Sequence, residues 1–271
     1  MRQVGIPGAL PPTNAAAIPF SAIHNGIVPH HPPYVDYLAH LGGQWNMLGN
    51  ERAGDCVSVT WANFRRLVTA TLTNRTVYPN QDQVWQFYRT QNPNFDPNNG
   101  NNNGPGSSAD GGMVIQEALN DLHQNGGPDG TKIVAFARIN VANPDEVKAA
   151  IAILGAVWTG IDVYDNNESE FSQEQPWQFI PGTQLLGGHS VLTGGFGTTL
   201  GLATQLTGDE KFITWADETS FTDHYWASAV REAWAVIWPE HLGTRGFEKG
   251  IDGNRLRKLY RQFTNTDLVL P

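Results

Sequence analysis

The chain has one cysteine, Cys56, in 271 residues, so an intramolecular disulfide framework is excluded. Long apolar runs are missing too: nothing approaches the roughly 18 consecutive apolar residues of a membrane-spanning helix. Basic residues are sparse, 17 Lys and Arg against 26 Asp and Glu. They are scattered, which argues against a nucleic-acid partner. The densest basic cluster, Arg255 to Arg261, reads as the solvated face of a terminal helix. No HExxH, CxxC, GxGxxG or Walker sequence occurs, and His and Asp are not grouped at ligand spacing. No metal, nucleotide or other cofactor is therefore expected. Met1 to Pro7 lacks the apolar segment of a secretory leader, so none is expected. Asn74-Arg75-Thr76 and Asn167-Glu168-Ser169 match the glycosylation pattern and are read as chance matches. Neither a compartment nor an oligomeric state is indicated.

What the chain does have is aromatic bulk, with nine Trp and twelve Phe, enough large apolar surface for one compact domain over residues 1–271. Residues 1–45 are rich in Pro and Gly and read as an extended arm wrapping the fold. Asp55 is placed as the N-cap of a helix whose stripe is Val59, Phe64, Leu67, Val68 and Leu72. Shorter helices are expected over 82–89 and 114–122, separated by the polar Asn/Gly loop Asp96 to Ser108, expected to be mobile. Gly126 and Gly127 close the second of these helices. Strands are expected over 133–139, 156–163, 189–196, 211–215 and 232–238, with a Pro144-led helix between the first two. Tyr164 to Gln178 is acidic and polar and reads as a loop. Helices thus fill 46–130 and strands 131–240, with a tail and short helix over 241–271: a segregated α+β pattern.

The chemistry centres on Cys56 and His189. A thiol at a helix N-terminus meets backbone N–H groups that favour its thiolate, and a neighbouring imidazole lowers its pKa further. The bland alternative is a buried structural cysteine. His189 follows Gly187 and Gly188 in a strand-like run, and those glycines allow a backbone or a substrate to approach closely. Asn50, six residues before Cys56, offers an amide to an oxyanion beside the Cys56 N–H, or else merely caps a turn.

In order and spacing these residues resemble the papain-like cysteine peptidases. The likeness covers about residues 45 to 240. It rests on Asn50, Cys56, the pair Gly111-Gly112 and His189. A closer likeness is to a divergent branch of papain-like proteins of bacterial and tailed-phage genomes. It is carried by Gly49-Asn50-Glu51-Arg52-Ala53-Gly54-Asp55-Cys56, by Gly187-Gly188-His189 and by Thr214-Trp215-Ala216. The resemblance implies a helical lobe and an antiparallel β-sheet or barrel lobe with a cleft between them. It also implies Gly111, Gly112, Gly188 and Trp215 at the substrate. Two positions depart from the family: Asn50 stands where the peptidases carry Gln, and no Asn precedes Trp215. Asp217 is the first choice to orient His189. Thr214 is the alternative, or Trp215 shields the pair without an orienting residue. The implied function is a cysteine hydrolase, a peptidase or amidase, acting on a peptide or protein through a thiolate–imidazolium pair and an acyl-enzyme. The other readings are a transpeptidase or transglutaminase, and a papain-like binding or phage structural protein without peptidase activity.

Overall fold

The computed structural model describes residues 2–13, 15–26, 31–41, 44–98, 109–197, 209–268 and 270. Most of the Asn/Gly loop and His30 lie outside them. In chain order the elements are β1 (Val35–Asp36), α1 (Cys56–Leu72), α2 (Gln81–Tyr88), α3 (Ile115–Gln124), β2 (Ala135–Ile139), α4 (Pro144–Leu154), β3 (Val157–Tyr164), α5 (Asp165–Ser172), β4 (Leu185–Phe196), β5 (Glu210–Thr214), β6 (Asp217–Phe221), α6 (Asp223–Ala229), β7 (Val230–Ile237), α7 (Arg245–Gly250) and α8 (Gly253–Thr264). The strands form one antiparallel sheet in the order β2-β7-β3-β4-β5-β6, and β1 pairs with the far end of β4. The sheet is open. Of the two forms expected, sheet or barrel, this is the sheet.

Side chains alternate across that sheet, as the two-residue period of a strand requires. Trp158, Leu192 and Trp234 face a core shared with α1, α2 and α3. Their neighbours Val157, Val191 and Ala233 face a second core built with α4, α6 and the arm residues Phe20 and Ile23. The arm is therefore part of the fold: Arg138 N–H donates to the Ile18 carbonyl at 2.8 Å. Helix α1 is buried at every residue from Cys56 to Thr69. A helix enclosed on all sides must satisfy its polar side chains inside the core. Its buried Arg65 is paired with Asp129 at 2.7 Å and Glu240 at 3.0 Å.

Three local expectations change. Residues 165–172 are helical, because Asn166 and Asn167 donate to the Gln178 carbonyl at 2.9 and 3.2 Å while Phe171 is buried beneath. Strand β6 and helix α6 were not foreseen. Asp55 occupies the N-cap position of α1 but makes no side-chain capping bond.

One hydrogen-bonded chain ties α1 to the sheet. Trp158 Nε1–H donates to Ser190 Oγ at 2.8 Å, Ser190 donates to Thr60 Oγ1 at 2.9 Å, and Thr60 donates to the Cys56 carbonyl at 2.9 Å. All three side chains are buried, so removing the central hydroxyl strands two polar groups away from water. Ser190→Ala is expected to lower unfolding free energy by roughly 1–3 kcal/mol, read by denaturant unfolding; Ser169→Ala, on the exposed hydroxyl of α5, should be neutral.

His241 is buried between the Trp238 N–H, which donates to its Nδ1 at 2.9 Å, and the Leu154 carbonyl, 3.0 Å from its Nε2. This geometry needs the neutral ring, and burial pushes its pKa down to about 4 from 6.5. Between those values the unfolded chain binds the extra proton and the folded chain does not. Stability is then full above pH 6.5 and drains away as pH falls toward 4. The loss is on the order of 3 kcal/mol. Unfolding measured across that range should show the slope, and His241→Gln, which cannot titrate, should flatten its share.

Candidate active site

Cys56 is the first residue of α1 and only 1% exposed. Burial pushes its thiol up to about 12, against the backbone N–H groups of Ser190 and Gly8, which face the sulfur and favour the thiolate. Its neighbour Asp55 is fully buried, and both its carboxylate oxygens lack a hydrogen-bond partner. Burial drives that carboxyl well above the usual range, opposed by the nearby Asn50 amide and reinforced by the charges of Asp110 and Glu51.

His189 lies on β4, immediately before Ser190, whose backbone N–H favours the Cys56 thiolate. Its Nε2 is 2.7 Å from Thr214 Oγ1, and its Nδ1 has no partner among the described residues. The tautomer with Nε2–H donating to Thr214 leaves Nδ1 as a bare base; the other tautomer would bury an N–H without an acceptor. Trp215 covers the imidazole, ring centroids 5.4 Å apart. Asp217 is elsewhere: its carboxylate accepts from Arg2 Nε at 2.7 Å and from the Glu218 N–H at 2.8 Å. The structure brings Thr214, and not Asp217, to the imidazole. The cause is the β5–β6 hairpin, in which Thr214 pairs with Asp217 and Trp215-Ala216 forms a two-residue turn. Residues paired across the turn share a face, but Thr214 is on the strand beside β4 and Asp217 is one strand further out.

The cleft is occupied by the chain's own arm. The Ile6 N–H donates to the Asn50 carbonyl and the Asn50 side-chain amide donates back to the Ile6 carbonyl, both at 2.8 Å. The Met113 N–H donates to the Gly8 carbonyl at 2.9 Å, the Leu10 N–H to the Met113 carbonyl at 2.8 Å, and the Ala9 N–H to the Gly188 carbonyl at 2.9 Å. Asn50 thus already holds a peptide carbonyl oxygen, with its other proton on the Ala53 carbonyl at 3.1 Å. The fit depends on missing side chains. A Cβ on Gly8 would lie 1.9 Å from the Gly54 carbonyl oxygen, one on Gly112 2.3 Å from the Gly8 oxygen, and one on Gly188 2.1 Å from the Ala9 oxygen. The expected wall residues act through that space. The Gly111 N–H goes to Asn92 Oδ1 at 2.8 Å, the Gly112 N–H to the Tyr88 hydroxyl at 3.0 Å, and the Gly112 carbonyl accepts from Asn92 at 2.7 Å. The ladder to the arm runs through Met113, which the motif did not single out.

The Gly8 backbone N–H is among the groups near Cys56 that favour its thiolate. The closed site is nonetheless uncharged. Burial lowers His189 to about 3 and raises Cys56 to about 12, so at neutral pH both the thiol and the imidazole are uncharged. The thiolate–imidazolium pair expected from the sequence is not the form of this closed state, because water is excluded from both groups.

A scan against family models gives no match, and neither does a search of the curated proteins. Solved structures do match. Xylellain, a cysteine protease from Xylella fastidiosa, aligns with a TM-score of 0.59 at 16% identity, over 88% of this chain and 97% of that one. Procathepsin B S9 from Trypanosoma congolense aligns with a TM-score of 0.53 at 10% identity, over 86% of each chain. These neighbours and the open antiparallel sheet packed on α1 give this chain the fold of the papain-like cysteine proteases.

Proposed function

We propose that the protein is a cysteine peptidase or amidase held in a latent form by its own arm. The observation that supports it most is the peptide in the cleft. Residues 6–10 are hydrogen-bonded through their backbone to Asn50, Met113 and Gly188, and the Gly8 N–H is among the groups that favour the Cys56 thiolate. A groove that satisfies a peptide backbone on both sides is built for extended chains. Once the arm leaves, water reaches both groups and the pKa values move toward each other. His189 Nδ1 takes the proton of the Cys56 thiol, and the sulfur attacks the substrate carbonyl carbon. The Asn50 amide and the Cys56 N–H stabilise the resulting oxyanion. The tetrahedral species collapses as the C–N bond breaks and His189 protonates the departing amine. Water, deprotonated by His189, then cleaves the thioester and regenerates the thiol. An amine in place of that water would make the same site a transferase. A binding protein on the same scaffold remains the alternative from a different class. The Gly49–Cys56 and Gly187–His189 motifs are the basis for a place near the bacterial and phage branch.

Gly8→Leu tests the reading in the full chain, because its side chain cannot fit against Gly54. Iodoacetamide labelling of Cys56 at neutral pH should quicken by at least about tenfold, the loss of one or two backbone hydrogen bonds. Cleavage of a peptide library should appear with it and vanish in Gly8→Leu/Cys56→Ala. Fast labelling with no turnover of any peptide would favour the binding protein.

The second test concerns His189. In the Gly8→Leu background, Thr214→Val should cut kcat by roughly 10- to 100-fold and shift the pH profile of Cys56 labelling, because the imidazole loses its anchor. Thr214→Asn should recover part of that loss. Asp217→Asn should leave kcat within about twofold, a change below 0.5 kcal/mol; equal losses in both variants would refute the assignment to Thr214.

A further inference from the structure

On the sheet face opposite α1, three carboxylates meet where β5 and α6 begin. Glu210 is the first residue of β5, Asp209 precedes it, and Asp223 is the first residue of α6. One oxygen from each lies within 4.8 Å of the others. Two ligand atoms on one calcium ion, at 2.3–2.6 Å each, can be no further apart than about 5 Å, so the three fit one coordination sphere. They line a cavity of about 530 Å³ together with Pro144, Lys148 and Trp226.

Acidic residues often gather at surfaces without a ligand, and Asp209 and Asp223 alone would carry no argument. Glu210 does. It is only 3% exposed, yet its Oε2 has no hydrogen-bond donor among the described residues. A buried carboxylate oxygen without a donor is costly, and a bound cation satisfies it. Among the described residues, the Lys148 ammonium lies 2.6 Å from Asp209 Oδ2. It engages Asp209 and leaves Glu210 Oε2 without a donor.

We propose that Asp209, Glu210 and Asp223 bind a divalent cation of the calcium type. All three donors are carboxylate oxygens, which suit a hard cation. The remaining coordination comes from water, which enters through the cavity. Lys148 must withdraw for the ion to enter, which places the affinity toward the weak end of protein calcium sites, on the order of 0.1–1 mM. The residues come from separated parts of the sequence, Asp223 thirteen positions after Glu210, and no spacing motif marks them. The site joins the start of β5 to the start of α6. It sits at the opposite end of β5 from Thr214 and needs no peptidase activity to be detected.

The test is calcium titration of the full chain, followed by calorimetry and thermal unfolding. Calcium chloride should give saturable heat and raise Tm by several degrees; potassium chloride at matched ionic strength should do neither. Glu210→Gln, which takes one carboxylate out of the set, should abolish the calcium shift. Lys148→Met, which removes the competing cation, should tighten binding several-fold. No heat and no Tm shift up to about 10 mM calcium, ten times the weakest affinity of this class, would overturn the proposal. So would a calcium shift retained in Glu210→Gln, or an affinity unchanged in Lys148→Met.

Discussion

The hydrogen-bonded chain from Trp158 through Ser190 and Thr60 to the Cys56 carbonyl fixes the geometry on which the site depends. It crosses from β3 to β4 to α1. Cys56 belongs to the helix and His189 to the strand, so nothing local in sequence holds them together. Ser190 adjoins His189, and Thr60 is one turn along from Cys56. A shift of β4 against α1 would break the buried Ser190–Thr60 hydrogen bond. Packing of Trp158, Leu192 and Trp234 on the same face makes that shift costly in apolar contact as well. Register and reactivity are thereby set by one directional network inside an otherwise non-directional core.

Solvent exclusion sets the second constraint. The same arm that satisfies the cleft's backbone groups removes the water that a charged sulfur and a charged imidazole need. Burial moves Cys56 up and His189 down, so blocking access and suppressing ionisation are one physical act. Glycine makes the seal possible. Gly8, Gly112 and Gly188 meet with backbones closer than any Cβ allows, and this gives the glycines flanking the motifs a steric meaning.

Much of this was legible in the sequence, and the failures have causes. The stripe of α1, the Pro144-led helix and the strands through Trp158, Val191 and Trp234 carry strong periodicity or capping signals, and they lie where expected. The pairing of Thr214 with His189 was left open because it depends on a hairpin with a disguised turn. Trp215 and Ala216 both take positive φ, at 46° and 64°, where Asn-Gly would be the usual signal. Helix α5 was hidden by its polarity: Asn166 and Asn167 bond to Glu170 and to the Gln178 carbonyl, and Phe171 is its one buried apolar side chain. Met113 was passed over because its part in the cleft is played by its backbone, which leaves no trace in residue type. The occupied cleft was equally invisible: Gly5 to Leu10 looks like any Pro/Gly arm until Gly188 and Met113 are placed beside it.

The arm's partners are far along the chain. Residues 6–10 close onto Met113 and Gly188, so these contacts have high sequence separation and pay the loop-closure entropy that makes non-local pairing slow. The arm is synthesised first, yet its docking surface exists only after β4 has been made and paired. Loop-closure entropy makes seating of the arm a late step of folding, and until then the groove between Asn50, Met113 and Gly188 has its backbone groups open to water.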